Sequence, residues 1–95
     1  MTADVTALPV SLVPSLDLTA AEALCRSLTA QLGEGGITLD GSAVENVSTP
    51  CLQVLAAAAT TARENNQRFR LLCPSAVLRA AIIDLGLHAA IPLED

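Results

Sequence analysis

Apolar residues change their spacing along the chain from every second position to every third or fourth and back. In residues 8–13, Leu8, Val10 and Leu12 alternate with Pro9, Ser11 and Val13. That is strand period, with Pro9 marking an edge or a strand start. Pro14-Ser15 breaks it, and Asp17 or Thr19 is placed to cap a helix over 19–33 with Glu22 in its first turn. Leu24, Cys25, Leu28 and Leu32 form its inner face, Arg26 and Gln31 its outer one, and Gly33, Gly35 and Gly36 end it. Residues 37–40 read as a short buried strand, closed by the turn Asp40-Gly41-Ser42.

The stretch 44–59, V-E-N-V-S-T-P-C-L-Q-V-L-A-A-A-A, is the pivot of the pattern. Thr49 is the expected N-cap, and Pro50 the first helical residue, where its missing N–H costs nothing. Leu52, Leu55, Ala56, Ala59 and Ala62 follow at helical spacing, so the helix covers 49–65 and stops at Asn65-Asn66. Residues 68–73 are a third strand with Phe69 and Leu71 on one face. Pro74-Ser75 opens a third helix over 75–85, with Val77, Leu78, Ala81, Ile82 and Leu85 as its stripe and Gly86 as its end. A last short strand is expected at 90–93.

Strand, helix, strand, helix, strand, helix, strand implies an α/β chain with about four mostly parallel strands, three main helices and right-handed crossovers. Residues 1–95 are expected to form a single domain, with no linker or repeat. Ligands of such sheets sit beyond the carboxyl ends of the strands, and Asp40, Ser48 and Thr49 all fall at that end.

The chain is 52% hydrophobic, but Phe69 is its one aromatic residue, so the core is built from Leu, Val, Ile and Ala. The formal charge of −5 argues against nucleic acid and anionic membrane as partners. Residues 1–7 lack the basic start and apolar run of a signal peptide, and no run approaches a membrane span; a cytoplasmic protein without membrane insertion is expected. Cys25, Cys51 and Cys73 are odd in number and far apart, with no zinc or disulfide spacing. They read as small buried hydrophobes. Cys51 stands apart, because a thiol at a helix N-terminus can be reactive. No metal or cofactor set is present in the pattern. His88 has no partner at catalytic or metal spacing, and Arg63, Arg68, Arg70 and Arg79 read as solvated.

The run L-D-G-S-A-V-E-N-V-S-T-P-C-L-Q-V-L, residues 39–55, resembles the central motif of STAS domains, the anti-sigma factor antagonist domains also found in sulfate transporters. That motif has an Asp ending a strand, a short loop, an Asp-Ser or Asp-Thr pair, then a small residue, Gly and Leu opening a helix. Asp40 matches the first Asp, Thr49 the phosphorylated Ser or Thr, and Leu52 the helix Leu. Ser15-Leu16-Asp17-Leu18-Thr19 is similar to the family's G-x-L-D stretch, and Pro74-Ser75 with 77–87 to its closing helix. Ser48 stands where most members carry Asp, and Pro50-Cys51 replaces the small residue and Gly.

The resemblance implies a STAS-like fold and a regulatory protein-binding module. Its partner would be a histidine-kinase-like serine/threonine kinase or an anti-sigma factor. Thr49 would be the phosphorylation site, with Ser48 the second candidate. Asp40, Ser48, Thr49, Pro50, Cys51 and Gln53 would face the partner. The alternative is a non-catalytic STAS subunit docking on a transport ATPase of a phospholipid-transport complex. An enzyme built on Cys51 ranks last, because no His accompanies it in the motif and no phosphate loop or metal cluster exists.

Overall fold

The computed structural model describes residues 10–94, with the Glu94 side chain outside the description. Alternation dictates the strands. Ile37 and Leu39 of β3 (Gly36–Asp40) and Phe69 and Leu71 of β5 (Arg68–Leu72) are buried, while their neighbours are half-buried or exposed. β1 (Val10–Ser11), β3, β5 and β6 (Leu93–Glu94) form one sheet in that spatial order, every pair parallel. The register sets Val10 by Leu39, Ile37 by Phe69, and Leu71 by Leu93. Strand order therefore advances in one direction, and right-handed crossovers put all the connecting helices on one face. These are α1 (Ala20–Gly33), α2 (Thr49–Glu64) and α3 (Ala76–Asp84).

The four expected strands and three helices are present, with ends shifted by a few residues; Leu8 and Pro9 lie outside the described residues. The last strand begins at Leu93 rather than residue 90, because 87–91 is taken up by turns in which Ala90 and Ile91 donate to the Leu87 carbonyl. A second, two-stranded parallel ribbon was not anticipated: β2 (Ser15–Leu16) with β4 (Asn46–Val47). Pro14-Ser15, expected as a break, begins it. The Pro14 carbonyl accepts from Glu45 and Asn46, and the Ser15 hydroxyl donates to Asn46 Oδ1 at 2.9 Å.

The core joins Leu24 and Leu28 of α1, Leu52, Leu55 and Ala59 of α2, and Leu78 and Ile82 of α3 to the inner sheet face. Each fully buried Leu or Ile contributes roughly 1.5–3 kcal/mol by transfer. Three inner-face assignments are corrected. Cys25 is exposed, at the edge of the α1 stripe set by Leu24 and Leu28. Val77 and Leu85 are also exposed: Leu78 and Ile82 fix the phase of α3, and Leu85 lies just past its last turn. Gln31, expected outside, turns in. Its Oε1 accepts from the Thr38 backbone N–H at 3.1 Å. Asp40, two residues on, accepts from Leu12 of the β1 segment, so the Thr38 N–H points to the same side of β3. The Gln31 amide oxygen thus satisfies a backbone donor of β3.

Candidate functional site

The carboxyl ends of β3 and β5 meet at Gly41. Its N–H donates to the Leu72 carbonyl and its carbonyl accepts from Ser75 N–H, both at 3.0 Å. A Cβ here would stand 2.7 Å from a Leu78 methyl and 3.3 Å from the Pro74 Cα, so only glycine fits without a shift. Cys73, between these two anchors, is held at φ 49°, and its side chain is exposed rather than buried as expected.

The chain then runs through β4 to the start of α2. Ser48 N–H donates to the Leu16 carbonyl at 2.7 Å, which fixes Ser48 extended (φ −90°, ψ 158°) at the end of the ribbon. Its carbonyl takes the first helical bond, from Leu52, and its hydroxyl accepts from Cys51 N–H at 3.5 Å. Ser48 is therefore the N-cap, Thr49 the first helical residue and Pro50 the second. This corrects the expectation that Thr49 caps and Pro50 leads. The helix starts one residue earlier because the bond to Leu16 fixes Ser48 extended, with its carbonyl already taking the first helical bond. Thr49 is exposed, and its hydroxyl bonds to no other described residue.

Pro50 and Gln53 are exposed with Thr49, and Ser48 is half-buried. Cys51, expected among the partner-facing residues, is instead completely buried, and its thiol donates to the Asp17 carbonyl at 3.3 Å. That contact ties the first turn of α2 to the loop ahead of α1. The carboxylate of Asp17 accepts from the Thr19 hydroxyl at 2.7 Å and from Ala20 N–H at 3.0 Å, so Asp17 serves the α1 start while Thr19 makes no side-chain cap. These bonds, the Thr19 hydroxyl first, hold the Asp17 carboxyl below its usual pKa. Leu18 beside it is 68% exposed, the most exposed large apolar side chain described.

Asp40 is half-buried. Its carboxylate accepts from Ser42 N–H at 2.9 Å, closing an Asx turn, and that bond holds its pKa below the usual value. Among the described residues no hydrogen bond links Asp40 to Ser48 or Thr49. The neighbour of the α2 start is the Asp17-Leu18 loop. Sequence reasoning placed Asp17 only as a cap; the G-x-L-D likeness was the signal for its position. His88 is exposed, and no cluster of three or more metal-ligating side chains exists among the described residues. No described helix is long and apolar enough to cross a membrane.

The family model described as "Mlab, STAS domain" matches residues 2–93. The crystal structure of a putative anti-sigma factor antagonist from Thermotoga maritima superposes with a TM-score of 0.75 at 18% identity, covering 90% of this chain and 77% of that one. Among curated proteins, no sequence matches.

Proposed function

The chain belongs to the STAS family, and on that premise we propose that it is a non-catalytic, single-domain cytoplasmic module that binds a protein partner through the first turn of α2. The observation that carries the reading is the division of labour between two adjacent hydroxyls. Ser48 holds the helix; Thr49 is exposed and holds nothing. A surface group at Thr49 can therefore change without loosening the fold beneath it. Pro50, Gln53 and Leu18 extend the contact surface.

The partner is a histidine-kinase-like serine/threonine kinase or an anti-sigma factor, and binding is switched by phosphate on Thr49. The Thr49 hydroxyl oxygen takes the γ-phosphoryl group of ATP, loses its proton and releases ADP. The product adds about −1.5 to −2 charges at neutral pH. A helix N-terminus favours an anion by roughly 0.3–1 kcal/mol, so the fold tolerates it. The interface does not, because the phosphate must be desolvated against groups arranged for a neutral hydroxyl. Ser48 is the poorer acceptor, since its oxygen is engaged with Cys51 N–H. The buried Cys51 thiol supports the non-catalytic reading.

The resemblance to STAS subunits carries a second reading, in which the same surface docks on the ATPase of a phospholipid-transport complex. Affinity capture from the source cells with wild-type and Thr49→Glu baits, followed by mass spectrometry, separates the two. A kinase or anti-sigma factor retained by wild type and lost with Glu supports the switch; an ATPase retained in the same way supports docking. A partner held equally by both baits overturns the Thr49 surface.

A further inference from the structure

α3 differs from the other helices on its outward side. Opposite the buried pair Leu78 and Ile82, the helix presents Ala80, flanked by Ala76, Val77 and Ile83, all exposed. Val77 is 46% and Ile83 48% exposed. Asp84 is the exposed charged residue on this side, and half-buried Arg79 lies on its flank. A helix apolar on both faces is normally covered on both. The outward faces of α1 and α2, by contrast, carry Glu22, Arg26, Gln53 and Glu64.

We propose that this face of α3 packs against the same face of a second copy of the chain, as an antiparallel helix pair about a two-fold axis at Ala80. The pattern is self-complementary, as a two-fold interface requires. Residues three and four positions before Ala80 are Val77 and Ala76; those three and four after it are Ile83 and Asp84. In the antiparallel pair, Ile83 of each copy falls over the notch between Ala76 and Ala80 of the other. The two Ala80 residues lie on the axis, where their small side chains allow close approach. Asp84 of each copy comes beside the first turn of the other's α3, about 6 Å from the axis at 1.5 Å per residue. That turn has no acidic residue of its own, and Ser75 satisfies only the Leu78 N–H. A carboxylate there is favoured by the orphan amides and the helix dipole. Charge and shape thus select the same arrangement. A nine-residue helix pair is a small contact, below the size of a stable interface, so the dimer is weak and reversible.

Sedimentation velocity of the intact chain over a concentration series tests this independently of Thr49. The wild type is expected to show a concentration-dependent monomer–dimer exchange. Ala80→Arg sets two like charges on the axis and should remain monomeric, with an unchanged thermal midpoint because the position is exposed. Asp84→Asn removes two symmetric dipole contacts and should weaken association roughly 3- to 30-fold. In a Cys25→Ser, Cys73→Ser background, Ala80→Cys should oxidise to a covalent dimer and Thr61→Cys, exposed on α2, should not. A wild type that stays monomeric throughout, an Ala80→Arg variant that associates like wild type, or equal cross-linking at positions 61 and 80 overturns the proposal. So does a monomeric wild type whose α3 face instead binds lipid vesicles or another protein.

Discussion

Helices α2 and α3 begin alike and end up with different surfaces. Each follows an extended serine whose hydroxyl accepts a backbone N–H of the first turn: Ser48 from Cys51 at 3.5 Å, Ser75 from Leu78 at 3.1 Å. Each drives an apolar inner face into the core, Leu52 and Leu55 in one, Leu78 and Ile82 in the other. Beyond that they diverge. The residue after Ser48 is Thr49, an exposed hydroxyl with a polar outer face following it. The residues after Ser75 are Ala76 and Val77, which begin an apolar outer face. One capping device thus supports two kinds of surface, one suited to a charge switch and one to apolar packing. Capping and contact are separable functions even between adjacent residues.

The largest test of the comparison is the shared inner face. Leu52→Ala or Leu55→Ala should cost roughly 2–5 kcal/mol by chemical denaturation, since both side chains are buried in the core and the cavity cannot close fully. A loss near zero would mean that α2 is rotated from the observed phase. Next comes the pivot that aligns the two helix starts. Gly41→Ala forces a methyl against Leu78 and the Pro74 backbone, and should cost about 1–3 kcal/mol, read as a lowered thermal midpoint. An unchanged midpoint would show that the β3 and β5 ends are not clamped together.

The third test divides the two hydroxyls. Ser48→Ala should lose about 1 kcal/mol, within the 0.5–2 kcal/mol of a lost cap, whereas Thr49→Ala should be nearly neutral. Equal losses in paired urea titrations would return the capping role to Thr49. The smallest effect is in pH. The carboxyls of Asp17 and Asp40 both have pKa values lowered in the folded chain by hydrogen bonds to their ionised forms. Their contribution is therefore present above the ordinary carboxylate value, near 3.8, and is lost as pH falls through the lower folded values. Both side chains are solvated, so the effect is small. A double Asp17→Asn, Asp40→Asn variant should show a flatter acid limb of midpoint against pH; an identical limb would remove these bonds from the account.

The main sheet and its helices were legible because Ile37/Leu39, Phe69/Leu71 and the Leu spacings of the helices carry the two periods directly. Ribbon β2–β4 was not, because two residues are too few to show a period. The identity of the α2 cap was missed for the same physical reason. A Thr-Pro pair looks like a cap and first turn, and the bond that decides otherwise runs from Ser48 N–H to Leu16, far earlier in the chain. The burial of Cys51 has another source: it lies four residues before Leu55 and continues the inner stripe of Leu55, Ala58, Ala59 and Ala62 back into the first turn. The half-turned Gln31 depended on a bond to the Thr38 N–H of β3, seven residues on, which helical spacing alone does not encode.

The central claim is that Thr49 governs partner binding without governing the fold. Its most direct test is calorimetric titration of the captured partner with Thr49→Glu and Thr49→Ala, each checked for its thermal midpoint. The account predicts that Ala binds as wild type does, that Glu binds at least tenfold more weakly, about 1.4 kcal/mol, and that the two midpoints stay close together. Equal affinities for Glu and Ala would contradict it and leave Thr49 as an ordinary surface residue of a scaffold.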